Sequence, residues 1–360
     1  MSDTLLFSPL TLRGLTVRNR LAVSPMCQYS SVDGMPTPWH TAHLVSRAVG
    51  GAGLVFVEMT AVTPEGRITP HDSGLWSDAH VPAFAEIVRQ CHAHGAAVGV
   101  QLAHAGRKAS TRRPWDGGGP LAPDQGAWQT AAPSALPFAD GWPAPEALSL
   151  AGIQDLVAAF ADAARRALAA DFDTIELHAA HGYLLHEFLS PLVNRRRDAY
   201  GGDRGGRMRF LLEVAEAVRA VWPAERPLMV RLSCTDWVGG GWHLADSVVL
   251  ARALRDLGVD LIDCSSGGAV VHRAPEAPGY HAPFARRVRD ESGIATAVVG
   301  RIDSADLAEH LLADGAADLI LVGRAFLRDP YLGLHWADAL GAQVDWPAQY
   351  LRARPARSRA

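Results

Sequence analysis

Eight short runs of apolar residues recur along the chain, at 21–24, 53–58, 97–102, 172–177, 228–232, 259–263, 295–299 and 318–322. Stretches with helical periodicity fill most of the intervals, at 39–49, 81–94, 150–170, 206–221, 244–257, 283–291 and 304–313. In the fourth interval Ile153, Leu156, Val157, Phe160, Ala164 and Leu168 form one stripe at helical spacing. The short runs are apolar nearly throughout rather than alternating, the pattern of strands covered on both faces. Strands of that kind, separated by helices, call for a closed parallel sheet with the helices outside, an α/β (β/α)8 TIM barrel. The alternative is a doubly wound open sheet, but no run here opens into GxGxxG and a helix. A length of 360 residues suits one barrel domain spanning the chain, 1–360.

Three segments stand outside the repeat. Residues 5–20 read as an N-terminal hairpin turning near Arg13-Gly14, placed to cover one end of the barrel. The connection 106–148, after the third strand, is rich in Pro, Gly and Trp and shows no sustained periodicity, so a lid or substrate-binding excursion is expected. A surface insertion or subunit contact is the blander option. The tail 346–360 is basic and aromatic and could drape over a neighbour.

A net charge of -4 and a pI near 6.4 give no electrostatic reason to expect nucleic acid or an anionic membrane as partner, so a small molecule fits better. Cys27, Cys91, Cys234 and Cys264 are scattered without a CxxC pair, against a disulfide framework or a structural metal. The first twenty residues lack the layout of a signal peptide, and no apolar run approaches the length of a membrane span. A cytoplasmic protein is the expectation.

Barrel enzymes work at the carboxyl ends of their strands, so the first polar residues after each run carry the information. The first run ends in Ser24-Pro25-Met26-Cys27 with Tyr29 nearby, the second in Glu58-Met59, the third in Gln101 and His104. The fourth ends in His178, His181 and Tyr183, the fifth in Arg231, and the sixth in Cys264-Ser-Ser-Gly-Gly268. Histidines three apart can share a face; with a phenol beside them they could bind a metal, pack quietly, or polarise a carbonyl while the tyrosine gives a proton. The last two runs end alike, in Val-Gly300-Arg301 and Val-Gly323-Arg324. Glycines admit an anion to backbone N–H groups and arginine adds a charged fork, so a phosphate is expected there. Arg231 at the end of an apolar strand needs an anionic or electron-rich partner, a salt bridge to Glu58 being the structural option. Gln101 suits an amide-like edge. Together these describe a pocket for a flat heterocycle with a phosphorylated tail, such as flavin mononucleotide (FMN), although other phosphorylated ligands would fit the same rules. A hydrolase with His178, His181 and Glu58 or Asp263 around a metal is the rival.

Five motifs then narrow the choice: Ser24-Pro-Met-Cys27, Gln101-Leu-Ala-His-Ala-Gly-Arg-Lys108, His178-Ala-Ala-His-Gly-Tyr-Leu-Leu-His-Glu-Phe-Leu-Ser-Pro191, Asp198-Ala-Tyr-Gly-Gly202 with Arg207, and Gly323-Arg-Ala-Phe326. With them the chain resembles, nearly end to end, the Old Yellow Enzyme family of NADH:flavin oxidoreductases, in particular its bacterial thermophilic-like or xenobiotic-reductase branch of ene-reductases. The resemblance implies tightly bound FMN, held by Ser24, Pro25, Met26, Gln101 and Arg231, with Gly300, Gly323 and Arg324 at the phosphate and Cys27 near the reactive edge of the ring. It implies NADPH or NADH as transient hydride donor and an enone or nitroalkene as substrate, in a two-stage cycle. His178 and His181 would bind the substrate oxygen, Tyr183 would be the proton donor, and Tyr29 would lie on the substrate side. Arg352 matches an arginine that this branch lends to a partner's site, so a homodimer or homotetramer is implied, with Arg354 the second candidate. Met59 and Arg301 depart from the branch's pattern, Met59 crowding the flavin or substrate edge. A flavin-binding protein without turnover is the remaining alternative, and a dienoyl-CoA-type reductase is disfavoured for want of an added domain and a cysteine cluster.

Overall fold

The computed structural model describes residues 4–355. Eight parallel strands close into a barrel: β1 Leu21–Val23, β2 Leu54–Ala61, β3 Ala97–Ala103, β4 Thr174–Ala179, β5 Leu228–Ser233, β6 Leu261–Ser265, β7 Ala295–Val298 and β8 Leu319–Val322. Each pairs with the next, and β8 returns to β1, so the sheet has no free edge. The connecting helices are α1 Pro38–Val49, α2 Val81–His92, α3 Leu150–Ala169, α4 Arg204–Val221, α5 Leu244–Asp256, α6 Ala282–Ser292, α7 Ala305–Ala313 and α8 Leu332–Ala339. The (β/α)8 barrel and all eight expected strands are present.

Local chemistry sets these boundaries. Ser149, Asp203 and Ser304 cap α3, α4 and α7 with side-chain oxygens that accept from the backbone N–H of Gly152, Gly206 and Leu307, at 3.0, 2.8 and 3.3 Å. The stripe on α3 is buried at Ile153, Leu156 and Phe160, each contributing about 1.5–3 kcal/mol of hydrophobic stabilisation. Between helices and strands such stripes merge into one large core.

The barrel interior is layered. At the amino ends of the strands Ala22, Leu54, Phe56, Met229, Leu261, Ala297 and Leu319 fill it, and the hairpin residues Leu10, Leu12 and Leu15 pack against them. That hairpin pairs Leu10–Leu12 with Leu15–Val17 across Arg13-Gly14, and it closes the bottom of the barrel as its pattern suggested. One layer higher the interior turns polar, with Gln101, Glu176, Arg231 and Asp263 all buried. Strand β2 runs to Ala61 rather than 58, with a bulge between Val57 and Met59. Glu58 and Met59 therefore lie inside the strand, and the extra residue re-aims Glu58. The 106–148 connection contains short 3-10 turns and one two-residue strand pair, Ala131–Ala132 with Glu146–Ala147.

Candidate active site

The end of β4 is held from several directions. His178 stands opposite Arg231 in the β4–β5 register and points inward with Glu176 two residues earlier. His181 then takes a left-handed backbone, φ 60, which costs a non-glycine residue about 1–3 kcal/mol unless its surroundings enforce it. They do so here. Its N–H donates to Ser233 Oγ at 2.9 Å, its carbonyl accepts from Lys108 Nζ at 2.8 Å, and its Nε2 lies 2.6 Å from Ser265 Oγ. Behind it, Gly182 and Gly268 meet backbone to backbone: a Cβ on Gly182 would come within 1.9 Å of the Gly268 carbonyl oxygen.

The rings of His178 and His181 meet edge to face at 5.1 Å, and those of His178 and Tyr183 likewise at 5.1 Å. Burial holds both imidazoles well below their ordinary pKa, helped at His178 by Arg231 and at His181 by His178. Burial also pushes the Tyr183 phenol well above 10, the neighbouring Cys27 adding to it. The trio is therefore neutral near pH 7, and His178 Nδ1 is buried with no hydrogen-bond partner among the described residues. Lys108 Nζ sits 4.9 Å over the Tyr183 ring, its own pKa lowered to about 8 by burial.

Below the histidines, Arg231 is almost fully enclosed. Its Nε contacts Asp263 Oδ2 and lies 3.7 Å from Glu176 Oε1, while its Nη2 donates to Ser24 Oγ at 2.8 Å. Glu176 Oε1 also accepts from Gln101 Nε2 at 2.6 Å. The salt bridge to Glu58 considered from sequence does not form. Glu58 instead accepts from the Gln28 backbone at 2.6 Å and from Ser73 Oγ at 3.0 Å, and it pairs with His40 Nε2 at 3.3 Å, fixing the Cys27–Tyr29 segment. With Glu58 and Asp263 both engaged elsewhere, no group of three His, Cys, Asp or Glu suited to a metal converges among the described residues.

The other end of the site is a cleft of about 300 Å³ whose lining includes Ser24, Met26, His181, Arg231, Gly300, Gly323 and Arg324. Gly300 has φ +125, and a Cβ there would lie 2.9 Å from His281 Nδ1, so only glycine leaves this floor open. Arg324 is exposed on the rim, and Arg301, at φ 52, pairs with Glu276 at 3.0 Å. Glycine backbone, guanidinium groups and a buried Arg231–Gln101 pair make a donor set that suits a flat, electron-rich ring with an anionic tail. Beside the β4 mouth the surroundings are apolar: Met59, Ala61, Ile68, Ala103, Ala105 and Ala109 form a cluster against which Cys27, Tyr29 and Tyr183 pack. Burial raises both the Cys27 thiol and the Tyr29 phenol above their ordinary values, so both are protonated at neutral pH. Pro25 is buried between Ser24 and Met26.

A family model described as the NADH:flavin oxidoreductase / NADH oxidase family matches residues 5–340. The chain belongs to that family. It is 47% identical over 352 residues to an NADPH dehydrogenase of Geobacillus thermodenitrificans, covering 97% of this chain and 98% of the relative. An NADPH dehydrogenase of Bacillus subtilis is 44% identical over 349 residues, covering 96% and 98%. Among solved structures, morphinone reductase superposes with a TM-score of 0.78 at 30% identity, covering 96% of this chain and 92% of that one. As a flavin oxidoreductase of this family the protein is an enzyme whose cofactors are FMN and a reduced nicotinamide.

Within the NADH:flavin oxidoreductase barrel, one sequence candidate stays apart. Arg352 lies exposed on the 3-10 turn Ala348–Ala353, docked through the 3.1 Å contact of Tyr350 with Tyr331. Arg354 is also exposed, and 356–360 of the expected tail lie outside the described residues. Sequence reasoning missed Tyr280 and His281, which line the cleft, because loop residues far from any strand end carry no local signal. Glu176 lies in the fourth run two residues before His178, and its inward direction was not read from sequence. Trp115 could not be placed from sequence. It reaches back to Tyr29, rings 5.8 Å apart, with Arg113 stacked on it. No helix among the described residues is long and apolar enough to cross a membrane.

Proposed function

We propose that the protein is an ene-reductase that takes hydride from NADPH or NADH and reduces the C=C bond of an enone or nitroalkene in two half-reactions. One observation carries this reading: two neutral imidazoles and a neutral phenol, packed edge to face around His178, at the mouth of a cleft whose far end is glycine and arginine. In this reading Ser24, Pro25, Met26, Gln101 and Arg231 hold the FMN ring, with Cys27 and Met59 along its edge. Gly300, Gly323 and Arg324 hold its phosphate. FMN, when bound, supplies the hydride carrier between nicotinamide and alkene.

The chain's own residues do the rest. His178 and His181, kept neutral by burial, donate hydrogen bonds to the substrate's carbonyl or nitro oxygen and stabilise the charge that grows there. Tyr183 Oη protonates the α-carbon. A neutral phenol is a weak acid, ordinarily near pKa 10, but an enolate-like carbon is basic enough to take its proton. Tyr29 lines the apolar side of the substrate, and Trp115 on the 106–148 connection caps it as a lid. Arg352 reaches the site of a second copy in a homodimer or homotetramer. Truncation after Trp346 then impairs turnover without loss of FMN, and an unchanged rate and KM would remove this part of the proposal.

The whole reading is tested by following the flavin absorbance anaerobically. NADPH should bleach it and 2-cyclohexenone should restore it. A colourless protein that cannot be loaded with FMN, or a flavin that enones leave reduced, would reject it.

A further inference from the structure

The polar layer under the site holds two carboxyls for one guanidinium. Glu176 and Asp263 are both at 0% exposure and both face Arg231 Nε, Asp263 Oδ2 in contact with it and Glu176 Oε1 at 3.7 Å. Two carboxylates crowded on one guanidinium nitrogen offer each other only acceptors, so they can bond to each other only through a proton. Each also keeps one oxygen, Glu176 Oε2 and Asp263 Oδ1, with no donor among the described residues. A second buried negative charge with a single cation to serve both would be strongly unfavourable in this dry interior.

We infer that Glu176 and Asp263 share one proton, so that the cluster is one acid, one carboxylate and one guanidinium, neutral as a whole, and that Glu176 is a positioning residue acting through Gln101. Asp263 is the carboxylate because it contacts Arg231 Nε directly, whereas Glu176 stands off at 3.7 Å. Glu176, the acid, uses its carbonyl oxygen to accept from Gln101 Nε2 and its hydroxyl to donate to Asp263. Burial, with the charge of Asp263 beside it, raises the Glu176 carboxyl above the usual carboxylate range in the same sense. The arrangement braces Gln101 and Arg231 from behind while leaving the cation matched by one anion only. It rests on the reading that these two side chains hold FMN.

The test uses the FMN-loaded enzyme and three substitutions. A primary amide is isosteric with the neutral acid, so Glu176→Gln should keep both hydrogen bonds, leave the flavin midpoint potential unchanged and keep the FMN Kd within about threefold of wild type. Glu176→Leu leaves Gln101 and Asp263 without their partner and should weaken FMN binding by roughly tenfold or more. Asp263→Asn alone leaves Glu176 free to ionise against Arg231 and should change the potential little, whereas Asp263→Asn combined with Glu176→Gln leaves Arg231 unmatched and should raise it, favouring the more anionic reduced flavin. If both acids were ionised, Glu176→Gln alone would raise the potential, and the shared proton would be excluded. Independently, the infrared spectrum should show a buried carboxylic-acid C=O band that disappears in Glu176→Gln and persists in Glu187→Gln, which changes the other fully buried glutamate whose pKa burial raises to about 8; its absence from wild type would overturn the assignment. The infrared measurement reads the protein itself, so a protein that takes up no FMN would defeat the cofactor reading while the band still decided the proton.

Discussion

The mouth of β4 and the ends of β7 and β8 face each other across one cleft, and they are built on opposite principles. At β4 the two imidazoles and the phenol are uncharged, His178 buried and His181 and Tyr183 half-buried, and His181 is locked in a strained backbone by Ser233, Ser265 and Lys108. At β7 and β8 the working parts are bare backbone at Gly300 and Gly323 and guanidinium groups that reach solvent. On the proposed function the contrast separates two tasks. A site that must stabilise charge developing during a reaction gains from fixed neutral donors in a dry setting, because they need no reorganisation. A site that holds a permanently charged group gains from cations and open backbone, which match a charge already there.

That division can be broken experimentally. The largest effect is expected at Tyr183: Tyr183→Phe should slow flavin reoxidation by an enone by roughly 10²–10⁴-fold while reduction by NADPH changes little. Equal losses in the two half-reactions, with FMN still bound, would take the proton away from Tyr183. At the opposite end Arg324→Ala should weaken FMN binding by about 10–100-fold, the scale of one or two charge-assisted hydrogen bonds, and equilibrium dialysis that finds unchanged affinity would show that the rim arginine holds nothing. A smaller change, a shift in KM of a few fold that differs between bulky and small enones, is expected for Trp115→Ala, since the indole meets the site through Tyr29. Uniform KM values across such a series would make the 106–148 connection an ornament of the surface.

The last expectation is of no effect at all. An exposed imidazole gains a proton as pH falls through about 6.5. His178 and His181 titrate well below that, so the rate of flavin reoxidation should show no inflection there. The same burial has a cost in acid: below about pH 6.5 the unfolded chain takes up protons that these folded imidazoles refuse, so their contribution to stability is complete above that pH and is lost as the pH falls. A histidine-like inflection near 6.5 in the enone half-reaction would mean that the two ends of the cleft are less different than their burial implies.

The eight apolar runs and the helical stripes determined the barrel, because burying a strand on both faces leaves one periodicity and few architectures that satisfy it. The strand-end rule then delivered His178, His181, Tyr183, Arg231, Gly300, Gly323 and Arg324, since in a closed parallel sheet every strand must point its carboxyl end at the same face. Their charge states were out of reach, because a pKa depends on burial and on neighbours brought from other strands. The partner of Arg231 was equally hidden: Glu58 and Asp263 both sat at strand ends, and only the bulge in β2 and the β5–β6 register sent one to Gln28 and His40 and the other to the guanidinium. Sequence by itself determined which residues could meet at one face of a barrel. The tertiary structure decided which are dry, neutral and paired, because those properties belong to the space between strands and not to any strand alone.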